Sequence, residues 1–367
     1  MKFPFADDEF IRMWVADMEF ASPDVAAEAM RKRLDRRIFG YSKANDDEYY
    51  KAFSSWCDKR YGWHCDEKHL RTGSGIVPAL NELVPYITTQ FEKVLILTPS
   101  YAPFAGACEM SGRKFVTCPL IEEDRQYRID FDDLEKKAAD PLVKLLIFCN
   151  PHNPTGRVWT EEELARAADI CRRNGLYIIS DEIHCDLLRV GEKHVPLAKV
   201  CPDYPKIITC MAPTKTFNLA GLMISNVIIP DDEIRAVWDA RHYSSDNPLS
   251  IAAAEAVYND GEDWLDQMRE YLDDNFKYLD DFLKENLPKA RFRIPQATYL
   301  AWVNVGAYFD SGENLPLFFA NKAGVLLEGG SSMFVADADG EIRLNLAMPR
   351  SVLKKGLERI AAAIKGK

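Results

Sequence analysis

Six short runs of apolar and β-branched residues punctuate the middle of the chain, at 94–97, 114–118, 144–149, 176–180, 207–211 and 226–229. Each is continuously apolar rather than alternating, the signature of a strand buried on both faces. Longer segments with helical spacing lie between them. The clearest is 160–174: Thr160 can cap, Glu161, Glu162 and Glu163 suit the positive start of a helix, and Gly175 ends it. Strands alternating with helices predict an α/β domain built on a mostly parallel sheet between helices.

The pattern changes after residue 250. Residues 250–287 form one long amphipathic stretch broken only by Gly261, which predicts two helices or one bent helix. Beyond Pro288 come alternating runs at 298–305 and 341–346, and a last helix is expected from about Ser351. These elements read as a smaller α+β domain. The first thirty or so residues do not follow the rhythm of the sheet domain and are expected to join the small one. The expected division is 30–265 for the large domain, with 1–29 and 266–367 for the small.

Composition narrows the function classes. Of 367 residues, 47% are hydrophobic and 28% charged, the balance of a globular chain rather than a disordered or fibrous one. No apolar run approaches the roughly 18 residues that a membrane span needs. The net charge is −11, and no long Lys/Arg cluster offers a nucleic-acid footprint. The first ten residues carry acids, so no signal peptide is expected. Nine cysteines, an odd number without a CxxC pair, suit a reducing cytoplasm and buried thiols. His64, Cys65 and His69 match no zinc spacing, and no metal site is expected.

In parallel sheets, ligands bind beyond the carboxyl ends of the strands. Thr98-Pro99-Ser100-Tyr101 follows the run at 94–97, and Asn150-Pro151-His152-Asn153-Pro154-Thr155-Gly156 the run at 144–149. Asp181-Glu182-Ile183-His184 follows 176–180, and Ala212-Pro213-Thr214-Lys215 follows 207–211. An aromatic, an amide, a carboxylate and an amine thus converge on one edge. These are the types that pyridoxal phosphate needs. Lys215 can hold it as a Schiff base, and Asp181 can keep its pyridine nitrogen protonated. Asn153 can hydrogen-bond its ring hydroxyl, and Tyr101 can stack on the ring. Gly73, Ser74 and Gly75 precede a helical segment at 76–86, and glycines before a helix start expose N–H groups to an anion. The same glycines suit an ordinary turn, and Asp181 alone suits a helix cap.

The chain resembles the fold-type I pyridoxal-phosphate enzymes of the class I/II aminotransferase superfamily, and within them the MalY/PatB group of cystathionine β-lyases. The resemblance is carried by Trp14-Val15-Ala16-Asp17-Met18-Glu19-Phe20, Phe39-Gly40-Tyr41, Thr98 to Tyr101, Asn150 to Gly156 and Ser180 to His184. It continues through Lys215-Thr216-Phe217-Asn218-Leu219-Ala220-Gly221-Leu222, Ala297 to Trp302 and Arg343-Leu344-Asn345-Leu346. It implies that Lys215 carries the cofactor, Asp181 pairs with its ring nitrogen, Asn153 meets the ring hydroxyl with His184 beside it, and Tyr101 stacks. Gly73, Ser74, Gly75 and Thr214 would hold the phosphate, and Tyr41 would reach the phosphate of a neighbouring subunit in a homodimer with shared sites. Arg343 would clamp the substrate α-carboxylate, with Trp14, Asp17 and Met18 near the pocket mouth. His184 and Tyr41 also fit plain packing roles, Arg350 a structural ion pair, and Trp14 and Trp302 the core or pocket wall.

The implied activity is a carbon–sulfur β-lyase that cleaves L-cystathionine or related cysteine S-conjugates to pyruvate, ammonia and a thiol. The same residues would serve a class I/II aminotransferase, and a lyase-like protein with a second, regulatory binding role is a third reading. Three positions depart from the pattern. Ala212 stands where the group has a hydroxyl three residues before the lysine. Met223 stands where standard transaminases have a phosphate-binding arginine, which favours the lyase. The stretch 329–340 lacks the usual glycine–phenylalanine pattern on the substrate side.

Overall fold

The computed structural model describes residues 4–44, 46–243, 245–330 and 333–367. Met1–Phe3 of the acidic N-terminus and two positions of the 329–340 stretch, Ser331 and Ser332, lie outside the described residues.

Seven strands form the large sheet. From one edge the order is Leu70–Gly73, Ser225–Ile228, Ile207–Met211, Tyr177–Asp181, Val143–Cys149, Lys93–Thr98 and Lys114–Pro119. Ser225–Ile228 runs antiparallel to both its neighbours, and the strands from Ile207–Met211 to Lys114–Pro119 are mutually parallel. The continuous apolar runs arise because both faces are covered. Leu95, Leu146 and Ile178 pack under the helix Glu161–Asn174, while Val94, Ile147 and Ile179 pack against Ile76–Ile87 and Ala102–Met110. The Glu161–Asn174 helix starts as expected. The Thr160 hydroxyl accepts from the Glu163 N–H, the Glu163 carboxylate accepts from the Thr160 N–H, and Gly175 closes the helix in the left-handed conformation.

The 250–287 stretch is two helices, Pro248–Asp260 and Glu262–Asn286. They part at Gly261, where an added Cβ would lie 2.5 Å from the Val257 carbonyl and 2.7 Å from the Phe217 ring. Only glycine fits that approach.

A second sheet has the order Ile11–Met13, Val325–Gly329, Glu341–Asn345, Leu300–Asn304. Its first strand, from the start of the chain, lies parallel to Val325–Gly329, and the others are antiparallel. Helices Glu262–Asn286, Leu315–Ala323 and Arg350–Lys365 cover one face through Phe276, Phe319, Leu353 and Leu357. Although 341–346 alternates in sequence, every residue of Glu341–Asn345 is buried. The polar half of the alternation faces the body of the molecule instead of water. Ile342 and Leu344 enter the helical core, while Glu341, Arg343 and Asn345 form a buried polar seam. Each has its partner. Glu341 pairs with Arg125, Arg343 with Glu328, and the Asn345 amide donates to the Val15 carbonyl at 2.8 Å and to that of Asp17.

Candidate active site

The seam opens into a cavity of about 370 Å³ at the carboxyl edge of the large sheet. Its lining includes Tyr101, Asn153, Asp181, His184, Thr214, Lys215 and Arg343, each supplied just past a strand end or from the small sheet. Lys215 sits on the single turn Pro213–Thr216 after Ile207–Met211. Its ammonium donates to the Ala16 carbonyl at 2.6 Å and lies 3.8 Å from Asp17. Burial pulls the Lys215 pKa down, Asp17 opposes this, and Arg343 adds to it.

Asp181 ends its strand and is 5% exposed. One oxygen accepts from the Ile183 N–H at 3.1 Å, and among the described residues no cation pairs with it. Burial pushes its pKa up to about 7, against the pull of the Ile183 N–H. The His184 ring is buried with Nδ1 unpartnered, and burial, reinforced by Lys215 and Arg343, lowers its pKa to about 3. That ring is neutral at physiological pH. Tyr101 packs edge-on against Phe104 at 5.9 Å, and burial raises its phenol pKa.

Arg343 is 2% exposed. One arm donates to Asn153 Oδ1 at 2.8 Å, and the other pairs with Glu328 and reaches the Trp14 carbonyl at 3.4 Å. Its Nε has no partner. Burial lowers its pKa, and Glu328 pulls the other way. At the far end, Ser74 and Gly75 line the cavity where the helix Ile76–Ile87 begins. Gly75 sits at φ +139°, and the helix has no side-chain cap, so its first N–H groups face the cavity unclaimed.

These observations fit pyridoxal phosphate. An anion cradle lies at one end, and a buried carboxylate without a counter-ion can meet a protonated pyridine nitrogen. An amide stands beside them, and a lysine with a lowered pKa faces the space between. Ala212 is buried in the core and offers no hydroxyl, while Met223 lines the cavity in the left-handed conformation.

The structure does not gather every expected residue. Gly73 lies in the sheet, packed at Ser225, and is not part of the lining. Met18 is buried away from the cavity, where its N–H donates to Asn218 Oδ1 and its carbonyl accepts from the Asn218 amide, both at 3.0 Å. Asp17 stands beside Lys215 with a half-exposed side chain. Trp14 contributes its carbonyl, and its side chain is exposed. Tyr41 is 89% exposed and lines a different groove, with Arg71, Trp238 and His242. Arg350 is structural, but through the Asn275 amide at 2.8 Å and the Tyr278 ring rather than an ion pair. Trp302 is core, edge-on to Phe334.

Sequence reasoning missed three supporting groups. Glu328 faces Arg343 directly across two antiparallel strands. The Tyr299 hydroxyl donates to the same Ala16 carbonyl that holds Lys215, at 2.7 Å. Asp186, buried, accepts from Trp56 Nε1 at 3.2 Å, from the Tyr61 hydroxyl and from Thr216 Oγ1 at 2.9 Å. It thereby ties the turn after Asp181 to the turn that carries Lys215.

Known proteins resemble this chain in sequence and fold. The chain is 51% identical to the PLP-bound C–S lyase of Staphylococcus hominis, with a TM-score of 0.95 over 97% of this chain and 92% of that one. It is 39% identical to cystathionine beta-lyase PatB of Bacillus subtilis, over 98% of this chain and 94% of PatB. It is 31% identical to protein MalY of Escherichia coli, over 98% and 93%. Residues 9–360 match the family described as aminotransferase class I and II, and the chain belongs to that family.

Proposed function

We propose that this protein is a pyridoxal-phosphate-dependent carbon–sulfur β-lyase that cleaves L-cystathionine or a related cysteine S-conjugate to pyruvate, ammonia and a thiol. The observation that carries the reading is the convergence of Lys215, Asp181, Asn153 and Arg343 on one cavity whose other end is an uncapped helix start. The likeness to the Staphylococcus hominis C–S lyase and to PatB supports the sulfur chemistry.

The cofactor, when bound, supplies an electron sink for the pair left at the substrate Cα. The protein's residues do the rest. Arg343 takes the α-carboxylate with its guanidinium fork and fixes the Cα–H bond toward Lys215. Lys215 Nζ accepts the α-proton, which its lowered pKa favours. As that proton leaves, the Cβ–S bond breaks and the electron pair departs on sulfur as a thiolate. Water then hydrolyses the enamine product to pyruvate and ammonia. When the cofactor is bound, Asp181 would hold its charge toward the ring nitrogen, with Asn153 and neutral His184 beside it, and Tyr101 would cover the ring. Ser74, Gly75 and Thr214 would hold the phosphate. Gly73 supports that loop from the sheet, while Trp14, Asp17 and Met18 shape the segment that supplies the Ala16 carbonyl.

The test is pyruvate released from L-cystathionine by cofactor-loaded protein with no keto acid added. Steady release that Lys215→Ala abolishes is expected. Loaded protein that releases none, yet exchanges amino groups when a keto acid is supplied, would replace the reading with an aminotransferase.

The further parts of the reading are a cytoplasmic homodimer and a large unit, 30–265, set against a small one, 1–29 with 266–367. Tyr41 supports the dimer, because a side chain this exposed and outside its own cavity is free to complete a neighbour's. Mixing inactive Tyr41→Ala and Lys215→Ala subunits should restore activity if sites are shared, since one composite site then carries neither lesion. No recovery from subunits shown to exchange would refute sharing.

A further inference from the structure

Glu328 takes no part in the elimination, yet its carboxylate lines the Lys215 cavity. It stands on Val325–Gly329 opposite Arg343 and pairs with that guanidinium. Burial raises its pKa, while Arg343 and, more weakly, Lys215 oppose the rise. Among the described residues, Arg343 is the cation that pairs with the Glu328 carboxylate.

A substrate upsets this balance. Its α-carboxylate needs the Arg343 fork, which meets one carboxylate well. Asn153 already occupies one arm at 2.8 Å, so the newcomer competes for the arm that Glu328 holds. Glu328 is then a buried carboxylate short of a cation, a costly state unless another positive group arrives. A substrate side chain that ends in an ammonium and folds back toward the Arg343 fork can bring that group.

We propose that Glu328 forms a subsite for a cationic group at the distal end of the substrate side chain. The cavity then favours S-substituted cysteines that end in an ammonium over neutral ones, and disfavours those that end in a lone carboxylate. This rests on the β-lyase reading, and the experiment separates the two.

Binding is measured first, by calorimetry on the holoenzyme, with L-lysine, L-norleucine and L-2-aminoadipate. These chains are of similar length and have no leaving group at Cβ. The expected order of affinity is lysine, norleucine, aminoadipate, with steps of about tenfold, as for a partly desolvated charge pair. Glu328→Gln should compress both steps to within about threefold. Pyruvate release is then compared for S-(2-aminoethyl)-, S-propyl- and S-carboxymethyl-L-cysteine, where kcat/KM should follow the same order. Equal affinities in the wild type, or an order that survives in Glu328→Gln, overturns the subsite while leaving the lyase intact. The expected binding order without pyruvate from any of the three overturns the elimination and leaves the subsite standing. If Glu328→Gln does not fold, the wild-type series together with Glu328→Asp decides, because the shorter carboxylate should shrink the steps without abolishing them.

Discussion

Two arginine–glutamate pairs each place one member, Glu341 or Arg343, on the strand Glu341–Asn345 of the small sheet, two residues apart, and they differ in what they leave unfinished. Arg125 meets Glu341 with both arms, at 2.7 and 2.8 Å, and also donates to the Trp302 carbonyl at 3.1 Å. The Asn304 amide donates to the same Glu341 at 2.9 Å. Arg343 shares its arms between Asn153 and Glu328 at the edge of a cavity. Burial drives both guanidinium pKa values down. Contact with Glu341 more than restores Arg125, whereas Arg343 remains lowered. One pair is a closed lock between the small sheet and the turn at Arg125, which joins the short antiparallel strands Ile121–Glu123 and Gln126–Arg128. The other is a clamp with room for a different carboxylate. Burial and charge alone do not distinguish a structural ion pair from a functional one, and neither does the Nε, which is buried without a partner among the described residues in both arginines. The difference is that both Arg125 arms close on one carboxylate, whereas the Arg343 arms are divided.

The comparison can be broken most sharply at Arg125. Arg125→Ala leaves Glu341 buried without its cation and should cost about 3–5 kcal/mol of stability, with kcat/KM of the folded enzyme changed less than about threefold. Urea unfolding beside steady-state kinetics checks both. A large kinetic loss with stability intact would erase the distinction.

Asp181 extends the series to a buried charge with no counter-ion in the protein. Its folded pKa, about 7, lies above its ordinary value of 3.8. In cofactor-free protein its contribution to stability is therefore fully present below about pH 4 and is lost as pH rises through about 7. Over that window the wild type should lose up to about 4 kcal/mol relative to Asp181→Asn. Urea midpoints of the two cofactor-free proteins from pH 4 to 8 measure it. Parallel curves would mean that Asp181 is not strained as described.

The smallest expected effect is at the clamp. Arg343→Lys keeps the charge but loses the planar fork, and kcat/KM should fall about 100-fold, or about 2.7 kcal/mol, with stability within about 1 kcal/mol of wild type. A loss of stability matching the Arg125 variant would put the two pairs back in one class.

Local signals made most of the fold legible. The strands of the large sheet are short apolar runs because helices cover both faces, and the Thr160 cap and the Gly175 stop are written within a few residues of their helix. The carboxyl-edge rule then placed Tyr101, Asn153, Asp181 and Lys215 around one cavity. What escaped depends on register between distant strands. Glu328 is an ordinary acid until Val325–Gly329 and Glu341–Asn345 align it with Arg343. The alternation in 341–346 was visible, but which medium its polar side meets is decided by what packs there. Met18 lies off the cavity lining for a similar reason. Asn218, two hundred residues away, draws its backbone inward, and nothing near Met18 announces it.

The strand Ile11–Met13 gives the molecule an order of completion. It is made about three hundred residues earlier than Val325–Gly329, yet its place in the sheet exists only once that strand has been made. At about 10 residues per second, a ribosome needs roughly half a minute to bring the second after the first. The segment just beyond that strand carries the Ala16 carbonyl that holds Lys215, and its fixing amide, Asn345, comes still later. A nascent chain thus displays Asp181 and Lys215 well before it owns Arg343 or a settled Ala16. Translation itself keeps the amine-bearing half of the site from meeting amino acids in a finished pocket until Asn345 has been made.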